Sequence, residues 1–294
     1  MFKKILTIGL SVGVATSLMA APNVPVGEMK AKLKKMAGKP GMFLQGKENF
    51  PKDYFLVHKN LPFLAGLSLH HPMSSTLNLS KEQIKQIQLI KKSTVPVVIK
   101  MSKDIKMLEL TLAQNIAIDS NTAKSQYKIV DAISKLRTDL TKAHLKCINE
   151  VRAVLTKEQY QKLLKYATVN MMLKKQSKPK ELITFIHGGK MIMMYGEQLG
   201  VTDKQMMRFA NEIQMKFVPK IQQVMSRVAK LEKIVKQAVY TKHKNSKELK
   251  KYVDEIAKLK KDATNYRIEA YLVLQDILTK EQFEKGMKIL QGGK

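Results

Sequence analysis

The chain has 294 residues, one cysteine, no tryptophan and a net charge of +29. At 44% hydrophobic and 26% charged it is a globular or helical chain and not a disordered one. The lone Cys147 excludes an internal disulfide framework, so the fold must rest on its hydrophobic core. A surplus of Lys and Arg this large bears on partners and solubility rather than on fold.

The first twenty residues, MFKKILTIGLSVGVATSLMA, have the three parts of a secretory signal. Lys3 and Lys4 supply the basic start, and residues 5–18 an apolar stretch too short to span a bilayer. Cleavage after Ala20 would leave a secreted chain of charge +27, in a compartment where nucleic acid is not an expected partner. Residues 21–50 match nothing later in the chain and read as a flexible N-terminal segment.

The body of the chain is a tandem duplication. LTKEQ occurs at 155–159 and again at 278–282, with looser copies LSKEQ at 79–83 and VTDKQ at 201–205. Aligning the two LTKEQ strings places KIVDAISKLRTDLT (128–141) on KYVDEIAKLKKDAT (251–264), and Pro96 on Pro219. A single-residue indel then aligns 79–83 with 201–205. Upstream, PKDYFLVH (51–58) loosely resembles PKELITFIH (179–187). Agreement of spacing and apolar pattern over so long a stretch marks an internal repeat. The units are 51–175 and 176–294, joined through the breaker-rich strings KKQSKPK and HGGK.

The periodicity predicts an all-α fold with a pair of long helices in each unit. Ile129, Ile133, Leu136, Leu140, Ala143, Cys147, Val151 and Val154 are spaced by alternating fours and threes. Tyr252, Ile256, Leu259, Ala263, Tyr266, Ala270, Leu274 and Ile277 repeat that stripe. Polar turns are expected at 119–122 and 241–246, and an interior proline at 96 or 219 would cost roughly 3 kcal/mol if unaccommodated.

The repeated pentapeptide has a local physical meaning. Thr156 followed three residues later by Gln159 is a capping box, in which each side chain satisfies a main-chain amide of the helix start. Ser80/Gln83, Thr202/Gln205 and Thr279/Gln282 have the same spacing. The motif is therefore architectural.

Three copies of L-[ST]-x-x-Q and the looser VTDKQ behind a signal, on a Lys- and Met-rich helical chain, resemble the LTxxQ family of periplasmic proteins, the Spy/CpxP-like chaperones. The resemblance covers about 77–164 and 199–290. It implies a thin helical cradle of two subunits whose basic face, with apolar patches, holds unfolded or partly folded envelope proteins without ATP. Here one chain carries both units, each with charge +9 over 79–165 and 201–288. The expectation is a periplasmic monomer whose halves form an intramolecular pseudo-dimer about helices 129–154 and 252–277. A CpxP-like regulator of a signalling partner, sensing envelope stress or metal, is the alternative.

Acidic partners are too few to pair the lysines of the long helices, so these are the candidate client contacts: Lys100, Lys103, Lys106, Lys135, Arg137 and Lys142 in the first unit, and Lys220, Arg227, Lys230, Lys258, Lys260 and Lys261 in the second. The same excess could serve adhesion to an anionic envelope surface. Met191, Met193, Met194, Met206 and Met207, with Met171 and Met172 upstream, suit core packing, client contact or copper ligation. His70, His71 and Met73 could offer soft-metal ligands, but no second cluster matches them, and no metal, cofactor or catalytic residue is assigned. Cys147 aligns with Ala270 on a core stripe, as an inert thiol would. No phosphate loop, paired carboxylates or nucleophilic triad marks an enzyme.

Overall fold

The structure is a computed structural model that describes residues 54–57, 61–117, 123–172, 181–183, 188–240 and 244–290. The expected signal at 1–20, the 21–50 segment, the expected turn at 119–122 and residues 241–243 of the other lie outside the described residues. Among the described residues the chain is helical, without strands. In chain order these are α1 (Leu64–His70), a 3-10 turn (Ser74–Leu77), α2 (Lys81–Ala117), α3 (Ala123–Val154) and α4 (Lys157–Met172). They are followed by α5 (Gly188–Tyr195), α6 (Asp203–Arg208), a π-helical turn (Phe209–Gln214), α7 (Met215–Tyr240), α8 (Ser246–Ile277) and α9 (Lys280–Leu290).

The two copies correspond closely. Helix α2 packs against α3, and α7 against α8. Ahead of each first capping box one residue takes a left-handed conformation: Asn78 at φ 49° and Gly200 at φ 67°. Asn and Gly are the residues that adopt this backbone at least cost. The copies differ where the alignment requires an indel. α2 runs unbroken through Pro96, whereas the π-helical turn interrupts the second copy ahead of Pro219. A π turn is one residue inserted into an α-helix, so 209–214 absorbs the extra residue and restores the register by Pro219.

The copies meet along α3 and α8, which pack antiparallel. Tyr127 donates to Glu269 at 2.7 Å, Lys261 pairs with Asp131 at 3.0 Å, and Lys142 pairs with Asp254 at 2.5 Å. Asp131 and Asp254 hold matching places in the duplication, so each copy extends the same carboxylate to a lysine of the other. Between them Ser134 Oγ approaches the carbonyl of Ala257 at 3.5 Å. These two residues are also equivalent in the alignment.

The buried core crosses that contact. Ile133 and Leu140 of α3 and Val253 and Ile256 of α8 belong to one apolar cluster, with Ile87, Val98, Ile105 and Leu112 of α2 and Val228 and Val235 of α7. A smaller cluster at the far end of the second copy gathers Met191, Ile192, Leu199, Phe209, Ile213, Leu274, Ile277 and Leu278. There the Sδ of Met191 lies 2.0 Å from where a Cβ on Gly286 would stand. Gly286 aligns with the fully buried Leu163, so Met191 fills the volume that a leucine fills in the first copy.

Candidate functional site

All four capping boxes form. Main-chain N–H of Ser80, Thr156, Thr202 and Thr279 each donates to the following glutamine's Oε1 at 3.0 Å. The hydroxyls accept in return from Gln83, Gln159, Gln205 and Gln282 N–H at 3.1 to 3.2 Å. Capping accounts for the glutamine oxygen only.

The glutamine Nε2 does a second job. Within the first copy Gln83 Nε2 donates to Gln159 Oε1 at 2.8 Å and to the Val154 carbonyl at 2.9 Å. Gln159 Nε2 returns a bond to Gln83 Oε1 at 3.2 Å and reaches the Leu77 carbonyl at 3.1 Å. The second copy repeats the arrangement. Gln205 Nε2 bonds Gln282 Oε1 at 2.7 Å and the Ile277 carbonyl at 2.9 Å, while Gln282 Nε2 bonds the Gly200 carbonyl at 2.8 Å. Lys162 and Lys285, again equivalent, each donate to a carbonyl just before the first box, Thr76 and Gln198. The two motifs of a copy thus clasp the start of its first long helix to the end of its second. Glutamate would satisfy a capping box but supplies no donor for the clasp.

The candidate client contacts divide. Lys100, Lys103, Lys220, Lys230 and Lys258 are exposed on the long helices. Lys135 is exposed but pairs with Asp139 one turn on, and Arg227 pairs with Glu255. Lys142 and Lys261 bridge the copies as described, and Lys106 is half-buried, with burial lowering its pKa. Arg137 and Lys260 are not on the surface where the sequence places them: both are buried. Arg137 pairs with Glu109, and Lys260 with Glu232 at 2.8 Å. The two pairs are equivalent, each acid lying 28 residues before its base. Desolvation lowers the Lys260 pKa, opposed by the Glu232 carboxylate.

Sequence reasoning missed this face because it is polar. Ser134, Arg137, Thr138, Thr141 and His144 of α3 are all buried, beside the apolar stripe and not within it. Matching acids at Glu109 and Glu232, inside otherwise apolar stripes, were the available signal. His144 Nε2–H donates to the Pro62 carbonyl at 3.2 Å between the rings of Phe55 and Phe63. Burial depresses its pKa from 6.5 to about 4, so it is neutral at physiological pH.

The methionines divide as well. Met191 is core, whereas Met193, Met194, Met206 and Met207 are exposed, and Met215 joins them at 72% exposure. His70 Nε2 contacts Lys91 Nζ at 2.8 Å, and His71 Nδ1 accepts from Met73 N–H at 3.2 Å while its ring stacks on Tyr166. Each histidine thus has one ring nitrogen already engaged. Among the described residues no three His, Cys, Asp or Glu side chains form a metal-binding group. Burial pushes the half-buried Cys147 thiol up to about 11, which keeps it protonated and unreactive.

Among the described residues the protein is all-α, and the glutamine clasp occurs twice in it. No protein-family model, curated protein or solved structure matches the chain.

Proposed function

We propose that this chain is a periplasmic, ATP-independent chaperone of the Spy/CpxP kind, with two tandem helical hairpin units joined in one monomer. The observation that carries the reading is the clasp: four LTxxQ motifs form two matched glutamine pairs, so the motifs act as pairs, as the family resemblance implies. The surface supports it. Exposed methionines of 193–215 offer polarizable, adaptable contact, and the exposed lysines of α2, α7 and α8 attract acidic stretches of unfolded chains. Lysines would accelerate capture and apolar contacts would set affinity. Among the described residues no helix is long and apolar enough to cross a membrane.

The test is aggregation of a chemically denatured client on dilution, followed by light scattering with the protein present and ATP absent. Suppression near equimolar ratio is expected, weakening as salt rises. Undiminished scattering at several-fold molar excess, at low and moderate salt alike, overturns the reading.

A further inference from the structure

Residues 54–57, Tyr-Phe-Leu-Val, lie outside the long helices, yet all four are buried. Their seat is made by both copies. Leu56 N–H donates to Thr141 Oγ1 of α3 at 2.8 Å, and the Leu56 carbonyl accepts from Lys260 Nζ of α8. Thr141 spends its own proton on the Arg137 carbonyl one turn back, which leaves its oxygen free to accept. Beside this pair of main-chain bonds, Tyr54 lies under the Arg137 guanidinium at 5.2 Å, and the Phe55 ring packs on His144 at 4.7 Å. A buried hydroxyl and a buried ammonium therefore grip the main-chain N–H and C=O of one residue, and aromatic and aliphatic walls take the side chains.

We propose that this seat between α3 and α8 is a binding site for extended aromatic and aliphatic stretches of unfolded chains, and that residues 54–57 occupy it until such a stretch displaces them. The inference rests on the chaperone reading above. Recognition through main-chain groups carries no side-chain code, which suits a holder of unrelated clients. The resident segment also keeps the apolar walls dry while no client is bound. Being tethered, it competes at high effective concentration, so a chain offering many apolar stretches displaces it and a folded protein does not.

Hydrogen exchange on the wild-type protein tests this without any substitution, using reduced, carboxymethylated lactalbumin as a permanently unfolded probe. With the probe bound, the amides of 54–57 should lose roughly tenfold or more of their protection while those of α3 and α8 keep theirs. Probe bound with 54–57 as protected as before overturns the proposal and leaves the chaperone reading standing. Probe that does not co-sediment with the protein at all overturns both. A full chain carrying Phe55→Ser and Leu56→Ser provides the second arm. It should remain helical and suppress aggregation at a ratio about threefold lower than wild type, because its own competitor is weakened. A variant that unfolds, showing the segment to be fixed core, or that holds probe no better, counts against the proposal.

Discussion

Ser134 and Ala257 are 123 residues apart, equivalent in the duplication, and in contact through the Ser134 hydroxyl and the Ala257 carbonyl. The contact lies between the ion pairs that Lys261 makes with Asp131 and Lys142 with Asp254, two further equivalent carboxylates. Ser134 and Ala257 are both buried, and Ala257→Arg would force a long charged side chain into the crossing. We expect a loss of about 1–3 kcal/mol in urea unfolding, with helical content retained at low denaturant. An Ala257→Arg protein as stable as wild type would mean that the crossing is loose.

The clasp separates two roles of one glutamine. Gln83→Glu keeps the oxygen of the capping box but loses the donor to Val154 and Gln159, and should cost roughly 1–3 kcal/mol. Thr156→Ala removes only a cap and should cost ~1 kcal/mol. Gln83→Glu and Gln205→Glu lie in different copies and share no partners, so their effects should add. Urea midpoints of the singles and the double check all three statements.

Lys260 and Glu232 form a buried pair, and removing one partner strands the other. Glu232→Leu should destabilise by ~3–5 kcal/mol, and adding Lys260→Leu should recover most of it. The recovery will fall short by about 1 kcal/mol, the bond that Lys260 gives Leu56. Equal stability of the single and double variants would show that the pair is not the controlling interaction.

His144 makes stability depend on pH. Its folded pKa of about 4 lies below the ordinary 6.5, so between those values the unfolded chain binds a proton that the folded chain refuses. Its contribution is full above pH 6.5, is lost as pH falls toward 4, and amounts to roughly 3 kcal/mol. Urea unfolding at pH 7 and pH 4.5 should show this loss in wild type and much less of it in His144→Gln. Equal slopes in the two proteins would assign the acid sensitivity to carboxylates instead.

Much of this architecture was written plainly in the chain. The capping boxes follow from spacing alone, and a single-residue indel announced an irregularity that takes the form of the π turn at 209–214. What could not be seen was any contact between residues distant in sequence. Gln83 and Gln159 each looked complete as caps, so their pairing left no local trace. Arg137 and Lys260 looked like solvated charge because a base buried against an acid 28 residues earlier has the same composition as one turned to water. The 54–57 segment was too short to show periodicity, and its burial depends on α3 and α8 together.

Sedimentation of the protein across a hundredfold dilution, alone and with the unfolded lactalbumin probe, tests most directly whether one chain holds a client by itself. The account predicts the mass of a single chain at every concentration and, with probe, a complex containing one copy of the protein. A species of two chains that dissociates on dilution, or no complex with the probe at any concentration, would contradict it.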